Sequence, residues 1–296
     1  MKTFQRPSVW ISVVCLLYSM AVANTALAAK VQILFDDWEG PPLKVFLSRP
    51  SGLAPDRPVV FLMHGASQNA ETFRNQWHEL AVEHDVLLVF PEFDQADFAG
   101  SSGYSFSNVL KENGEIKHRG SLPFSAIELI FDDIRTRFEM STETYSLYGQ
   151  SSGAQFVQRF LYFFPDASLA QLVLADADWY TMPDFETEFP WGLKNSTVNN
   201  AQLAAALQLP VTIMLGGQDI DPEYASLPGD PEVMVQGENT LERGVAFYQA
   251  ARARASELSL PFTWSLSMVE KADRKNREMV SAAMEVLLRN VESADD

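Results

Sequence analysis

The sequence predicts a single α/β domain: one mostly parallel, eight-stranded sheet covered by helices on both faces, with a small cap inserted late in the chain. Three observations carry this. Short runs rich in Val, Ile and Leu, without polar alternation, suit strands buried on both sides. Segments of helical periodicity stand between those runs. No internal repeat, low-complexity tract or Pro/Ser-rich linker divides residues 30–296.

Taken in order, the apolar runs place strands at 31–35, 43–48, 58–63, 86–90, 145–148, 172–175, 211–215 and 262–268. Apolar residues at helical spacing place helices at 70–84, 126–138, 155–164, 241–258 and 277–291, the third opening its first turn at Ser152. Residues 179–209 break the alternation. They carry Trp179, Tyr180, Phe185, Phe189, Pro190 and Trp191, and read as a small cap over the carboxyl edge of the sheet. Those aromatics either line an acyl-binding pocket or form the packed interior of a lid.

Residues 1–29 stand apart. Lys2 and Arg6 precede an apolar run from Val9 to Ala23, which ends in Ala26-Leu27-Ala28. This is the pattern of a secretory signal peptide, and it places the mature protein in the periplasm or outside the cell. The run is shorter than the roughly 20 residues a membrane span requires. Cys15, the only cysteine, lies within it, and Ser12-Val13-Val14 lacks the small residue a lipidation site places before the cysteine. The mature chain is then cysteine-free, and its core alone must hold it together.

The chain's net charge is −17; without Lys2 and Arg6, 20 basic residues face 39 acidic ones, a net charge of −19. Such a surface repels nucleic acid and anionic lipid, so neither is an expected partner. Oligomeric state leaves no mark in the sequence.

The chemical signal lies in Tyr145-Ser146-Leu147-Tyr148-Gly149-Gln150-Ser151-Ser152-Gly153, a short apolar strand running into G-x-S-x-G and then a helix. In this pattern the serine sits on a cramped strand-to-helix turn, where β-carbons at Gly149 and Gly153 would strike neighbouring backbone. The helix behind it points N–H groups at a developing oxyanion. The strand at 58–63 ends in His64-Gly65-Ala66, where Gly65 is expected to bend the backbone so that the Ala66 N–H joins that of Ser152 as an oxyanion donor. His64 reads mainly as a residue fastening this loop. The strand at 211–215 runs into Gly216-Gly217-Gln218-Asp219-Ile220-Asp221-Pro222, which places a carboxylate after the serine in chain order. Asp219 is the preferred acid and Asp221 the runner-up, with Asp176 and Asp178 behind the strand at 172–175 as a further option.

Several segments resemble the α/β-hydrolase superfamily, in particular its secreted branch similar to poly(3-hydroxybutyrate) depolymerases and related esterases. They are LMHGASQNAETF, LLVFPEFD, YSLYGQSSGAQF, DWYTMPD with FPWGL, LGGQDIDP and the C-terminal GVAFYQAARARASELSLPFTWSLSMV. The resemblance spans nearly the whole mature chain. It implies an α/β-hydrolase fold, Ser151 as nucleophile, Asp219 as acid, Ala66 and Ser152 as oxyanion donors, and an ester or similar acyl compound, small or polymeric, as substrate.

It also implies a histidine after the last strand, and there the sequence departs from the pattern. Arg274 stands at that place, and the chain's histidines are His64, His78, His84 and His118, all upstream of Ser151. A guanidinium stays protonated and cannot serve as a general base. Candidate replacements are His118, from the loop before the helix at 126–138, His64, and Lys271 or Lys275, whose neighbours Glu270, Asp273 and Glu278 would hold them charged. His78 and His84 are expected to face solvent. No histidine spacing suggests a metal site, and no cofactor is expected. Two functions follow: a carboxylic-ester hydrolase acting through a Ser151 acyl-enzyme with a displaced or weakened base, or an inactive hydrolase-fold protein that keeps the pocket for binding. Acyl transfer to an alcohol other than water would use the same residues.

Overall fold

The computed structural model describes residues 28–106, 108–111, 113–218, 231–272 and 277–292. The proposed signal segment 1–27 and Asp219, Asp221, Asp273, Arg274 and Lys275 lie outside the described residues.

One sheet organises the chain. Its strands are β1 (Ala29–Phe35), β2 (Leu43–Arg49), β3 (Val59–Met63), β4 (Leu87–Glu92), β5 (Tyr145–Gln150), β6 (Leu169–Ala175), β7 (Val211–Gly216) and β8 (Ser265–Val269), in spatial order β1-β2-β4-β3-β5-β6-β7-β8. From β4 through β8 every pairing is parallel, while β1 with β2 and β2 with β4 are antiparallel. The expected mostly parallel sheet is thus present. Its central strands β3, β4 and β5 are buried nearly end to end, whereas β1, at one edge, alternates exposed and half-buried residues.

The helices are α1 (Ala70–Glu83), α2 (Gly100–Gly103), α3 (Pro123–Arg137), α4 (Ser152–Phe163), α5 (Asn200–Ala206), α6 (Pro231–Met234), α7 (Thr240–Glu257) and α8 (Arg277–Glu292), with a 3-10 turn at Arg119–Ser121. Strand side chains alternate between two cores. Val60, Leu62, Leu88 and Phe90 pack with Trp77 and Ala81 of α1 and Met279, Ala283 and Met284 of α8. Phe61, Leu87, Val89 and Leu147 pack on the other face with α3, α4 and α7.

Helix α4 is buried over its whole length: its broad apolar face carries Phe156, Val157, Phe160 and Leu161, and the polar face with Gln155, Gln158 and Arg159 is buried too. Phe124, in the first turn of α3, meets Phe156, Phe160 and Phe163 of α4 and then Phe164, at centroid distances of 5.0–5.8 Å.

The aromatics of 179–209 form packed structure, the second of the two expected arrangements. Trp179 and Tyr180 are buried; Trp179 lies 6.3 Å from Trp191, and Tyr180 stacks on Phe247 of α7 at 4.4 Å.

Candidate active site

Sheet register brings three strand ends to one place. Met63 pairs with Gly149 and Gln150 with Ala175, so β3, β5 and β6 release the chain side by side at His64, Ser151 and Asp176. The turn between β5 and α4 is as tight as the glycine pattern predicts. A β-carbon on Gly149 would stand 2.2 Å from Gly153 O, and one on Gly153 would stand 2.1 Å from Met63 O. Ser151 occupies φ 54°, ψ −117°, where a residue with a β-carbon is rarely found, and its backbone N–H donates to Ala175 O at 2.9 Å. The strained serine stands at the N-cap of α4, whose first residue is Ser152.

Ala66 and Ser152 line one cavity of about 290 Å³, together with Gln68, Gln95, Gly100, Tyr104 and Ser105. The loops around it are tied by side chains the sequence did not single out. Gln68, itself at φ 50°, donates from Nε2 to Phe93 O and Phe98 O at 2.8 Å each. Burial holds the Tyr104 phenol well above its usual pKa, so it stays a donor, and its OH reaches His64 O at 2.6 Å. Arg159 of α4 is wholly buried between the rings of Phe106 and Trp179 and donates from Nη1 to Ser105 O and Gln155 O. Burial draws its pKa down to about 9.

The chain turns directly after Gly65, Gln68 N–H donating to Gly65 O at 3.1 Å, but the turn does not call on a glycine's conformational freedom there. The φ of Gly65 is not positive, and an added β-carbon would lie 3.8 Å from Gln150 O, an ordinary contact; the left-handed residue is Gln68.

The histidines are spent elsewhere. His64 is fully buried, and desolvation lowers its pKa from 6.5 to about 4, so it is neutral. Its Nε2 accepts from Phe93 N–H at 3.2 Å, and its Nδ1 donates to Gly65 O at 3.1 Å. Both nitrogens fasten the loop and neither meets Ser151, which removes His64 as a base. His118 caps the 3-10 turn, accepting from Gly120 N–H, and lies 3.6 Å from Glu39 with its side chain 78% exposed. The cavity it lines, about 330 Å³, reaches Phe163 at the opposite end of α4 from Ser151, roughly 18 Å away at 1.5 Å per residue. His118 therefore fails as a replacement base. His78 is half-buried rather than solvent-facing: its Nδ1 meets Ser48 Oγ at 3.1 Å. His84 is exposed at the end of α1, and Lys271 is also exposed.

Of the two acids behind β6, Asp176 ties the sheet. Fully buried at φ 45°, it accepts from Gly216 N–H at 2.7 Å. Asp178, 3% exposed, meets the serine instead: Ser151 Oγ donates to its Oδ2 at 3.5 Å. Among the described residues, no group of three or more His, Cys, Asp or Glu side chains is placed to hold a metal ion. None of the described helices is long and apolar enough to cross a membrane.

Solved structures show the family to which this fold belongs. Poly(aspartic acid) hydrolase-1 from Sphingomonas sp. KT-1 superposes with a TM-score of 0.86 at 36% identity, covering 89% of this chain and 100% of that one. The chain is a member of the α/β-hydrolase superfamily. The poly(3-hydroxybutyrate) depolymerase LpqC from Bordetella parapertussis follows at a TM-score of 0.82 and 30% identity, covering 88% of this chain and 89% of that one. These two neighbours set this α/β-hydrolase among the hydrolases resembling poly(3-hydroxybutyrate) depolymerase-like esterases. A dienelactone hydrolase from Anabaena variabilis, at 11% identity and a TM-score of 0.51, shares the fold alone. Neither a protein-family model nor a curated protein sequence matches the chain.

Proposed function

We propose that this α/β-hydrolase is a serine hydrolase of the carboxylic-ester class, exported by the segment 1–29, that works through an acyl-enzyme on Ser151. The observation that carries the proposal is the strained serine at the N-terminus of a buried helix, with Ser152 beside it and Ala66 on the same cavity. The Ala66 and Ser152 N–H groups are the proposed oxyanion donors, and Asp219, by resemblance, the acid. Of the polymers its two neighbours are named for, poly(aspartic acid) is a polyanion and poly(3-hydroxybutyrate) is uncharged. A chain of net charge −17 disfavours the first and tolerates the second, so a neutral ester, small or polymeric, is the proposed substrate. The test is turnover of neutral p-nitrophenyl esters by the purified protein and by Ser151→Ala. Slow hydrolysis that the substitution abolishes supports the proposal; equal rates in the two proteins overturn it.

The engagement of His64, His78 and His118 away from Ser151 favours a second reading, a catalytically inactive protein that keeps the pocket for a ligand. It predicts no turnover in the natural protein and a gain of esterase activity in Arg274→His.

A further inference from the structure

If Ser151 is the nucleophile, its proton needs an acceptor, and none of the four imidazoles forms a hydrogen bond to it among the described residues. Its hydroxyl points at a carboxylate. We propose that Asp178 is the general base of this site, a Ser–Asp dyad in place of the serine–histidine pair; this rests on the reading of Ser151 as nucleophile.

The contact is 3.5 Å, long for a hydrogen bond, as catalytic contacts commonly are before substrate tightens them. What singles out Asp178 is how firmly its backbone is held. Its carbonyl accepts from Nη1 of Arg243, a buried residue of α7, at 2.8 Å. The next residue, Trp179, is wedged against the Arg159 guanidinium at 4.6 Å. Tyr180 follows, its N–H donating to Gln236 Oε1 at 2.9 Å and its carbonyl accepting from Gln236 Nε2 at 2.8 Å. Two residues upstream, Asp176 N–H donates to Met214 O and its carboxylate accepts from Gly216 N–H. The two acids thus have separate roles, Asp176 joining strand ends and Asp178 meeting the nucleophile. At 3% exposure, Asp178 has little contact with bulk solvent.

The step balances without any co-reactant beyond the ester and water. Ser151 Oγ bonds to the ester carbonyl carbon as its O–H bond breaks, and the proton goes to Asp178 Oδ2. The carbonyl π pair moves onto oxygen, facing the Ala66 and Ser152 N–H groups. Collapse expels the alkoxide, which takes the proton back from Asp178 and leaves an acyl-serine. Water then attacks, giving its proton to Asp178, and the returning Ser151 oxygen takes it up as the acid leaves.

The test is the rate of fluorophosphonate labelling and of p-nitrophenyl acetate hydrolysis in the natural protein, Asp178→Asn and Asp178→Glu, followed from pH 4 upward. Asp178→Asn should lose about 10²- to 10⁴-fold in both rates, the range general bases contribute. The glutamate variant should recover part of the loss. In the natural protein, the pH profile should carry no inflection near the imidazole value of about 6.5. Among the described residues, the Arg243 guanidinium of α7 lies against the Asp178 carbonyl, and the Asp176 carboxylate stands two positions before it, just past β6. Wild-type rates in Asp178→Asn, or a midpoint near 6.5, overturn the dyad while leaving Ser151 as nucleophile. A natural protein that neither labels nor turns over overturns both. The pH profile is read on the unaltered chain, so a misfolded variant does not spoil the test.

Discussion

A β-carbon on Gly153 would stand 2.1 Å from Met63 O and 2.7 Å from His64 O, main-chain atoms at the end of β3 and of the residue that follows it. Main chain in the middle of a sheet cannot swing aside as a side chain can, so α4 and Ser151 would have to move together. Gly153→Ala should therefore cost about 1–3 kcal/mol, the usual range for overpacking, and lower ester turnover by roughly 10²-fold, the loss a displacement of about 1 Å brings. Urea midpoints and p-nitrophenyl ester rates check both, and unchanged values would show that the turn has slack. His64 offers a pH test of the same loop. Its pKa falls from 6.5 to about 4 because burial penalises the imidazolium, although backbone hydrogen bonds oppose the shift. The unfolded chain binds this proton more readily, so the stability it confers is full above pH 6.5 and is lost as pH falls toward 4. At 1.36 kcal/mol per pKa unit the loss is about 3 kcal/mol. Urea unfolding at pH 7 and pH 4.5 should show a smaller difference in His64→Gln than in the natural protein.

Helix α4 carries the serine at one end and is held at the other by phenylalanines. Phe124→Ala would empty the space between Phe156, Phe160, Phe163 and Phe164, at an expected cost of about 3–5 kcal/mol in chemical unfolding. Elements of this kind are legible in the sequence, because a buried strand or helix is a run of apolar residues and Gly149 of the elbow answers a steric need, the approach of Gly153 O, within five residues. Where a contact made elsewhere decides, the sequence misleads. Strand β6 begins at Leu169, three residues early, since buried Gln171 is satisfied by Leu287 O at 2.6 Å and by Ser146 Oγ at 3.4 Å. Strand β8 begins at Ser265 rather than 262, because Phe262 and Trp264 turn to Tyr248 and Phe247 of α7. Helix α5 falls outside the predicted helices although Asn199 and Gln202 form a capping box, a signal present in the sequence. The meeting of Ser151 with Asp178 has no sequence signature: it spans 27 positions and is made by β5–β6 pairing.

At the scale of the molecule, the site sits in an acidic body. With net charge −17, an ester bearing a carboxylate should be turned over more slowly than a neutral one of equal size at low ionic strength. Raising salt toward 1 M, where the screening length falls to about 3 Å, should narrow that gap. A gap that ignores salt would place the discrimination in the pocket rather than in the long-range field. Fold, family and position of the serine agree, so the central claim is that Ser151 itself forms covalent bonds. The most direct measurement is mass spectrometry after fluorophosphonate treatment, with peptide mapping. The account predicts one adduct per chain, on the peptide containing Ser151 and absent in Ser151→Ala; an unmodified chain, or an adduct on any other residue, would contradict it.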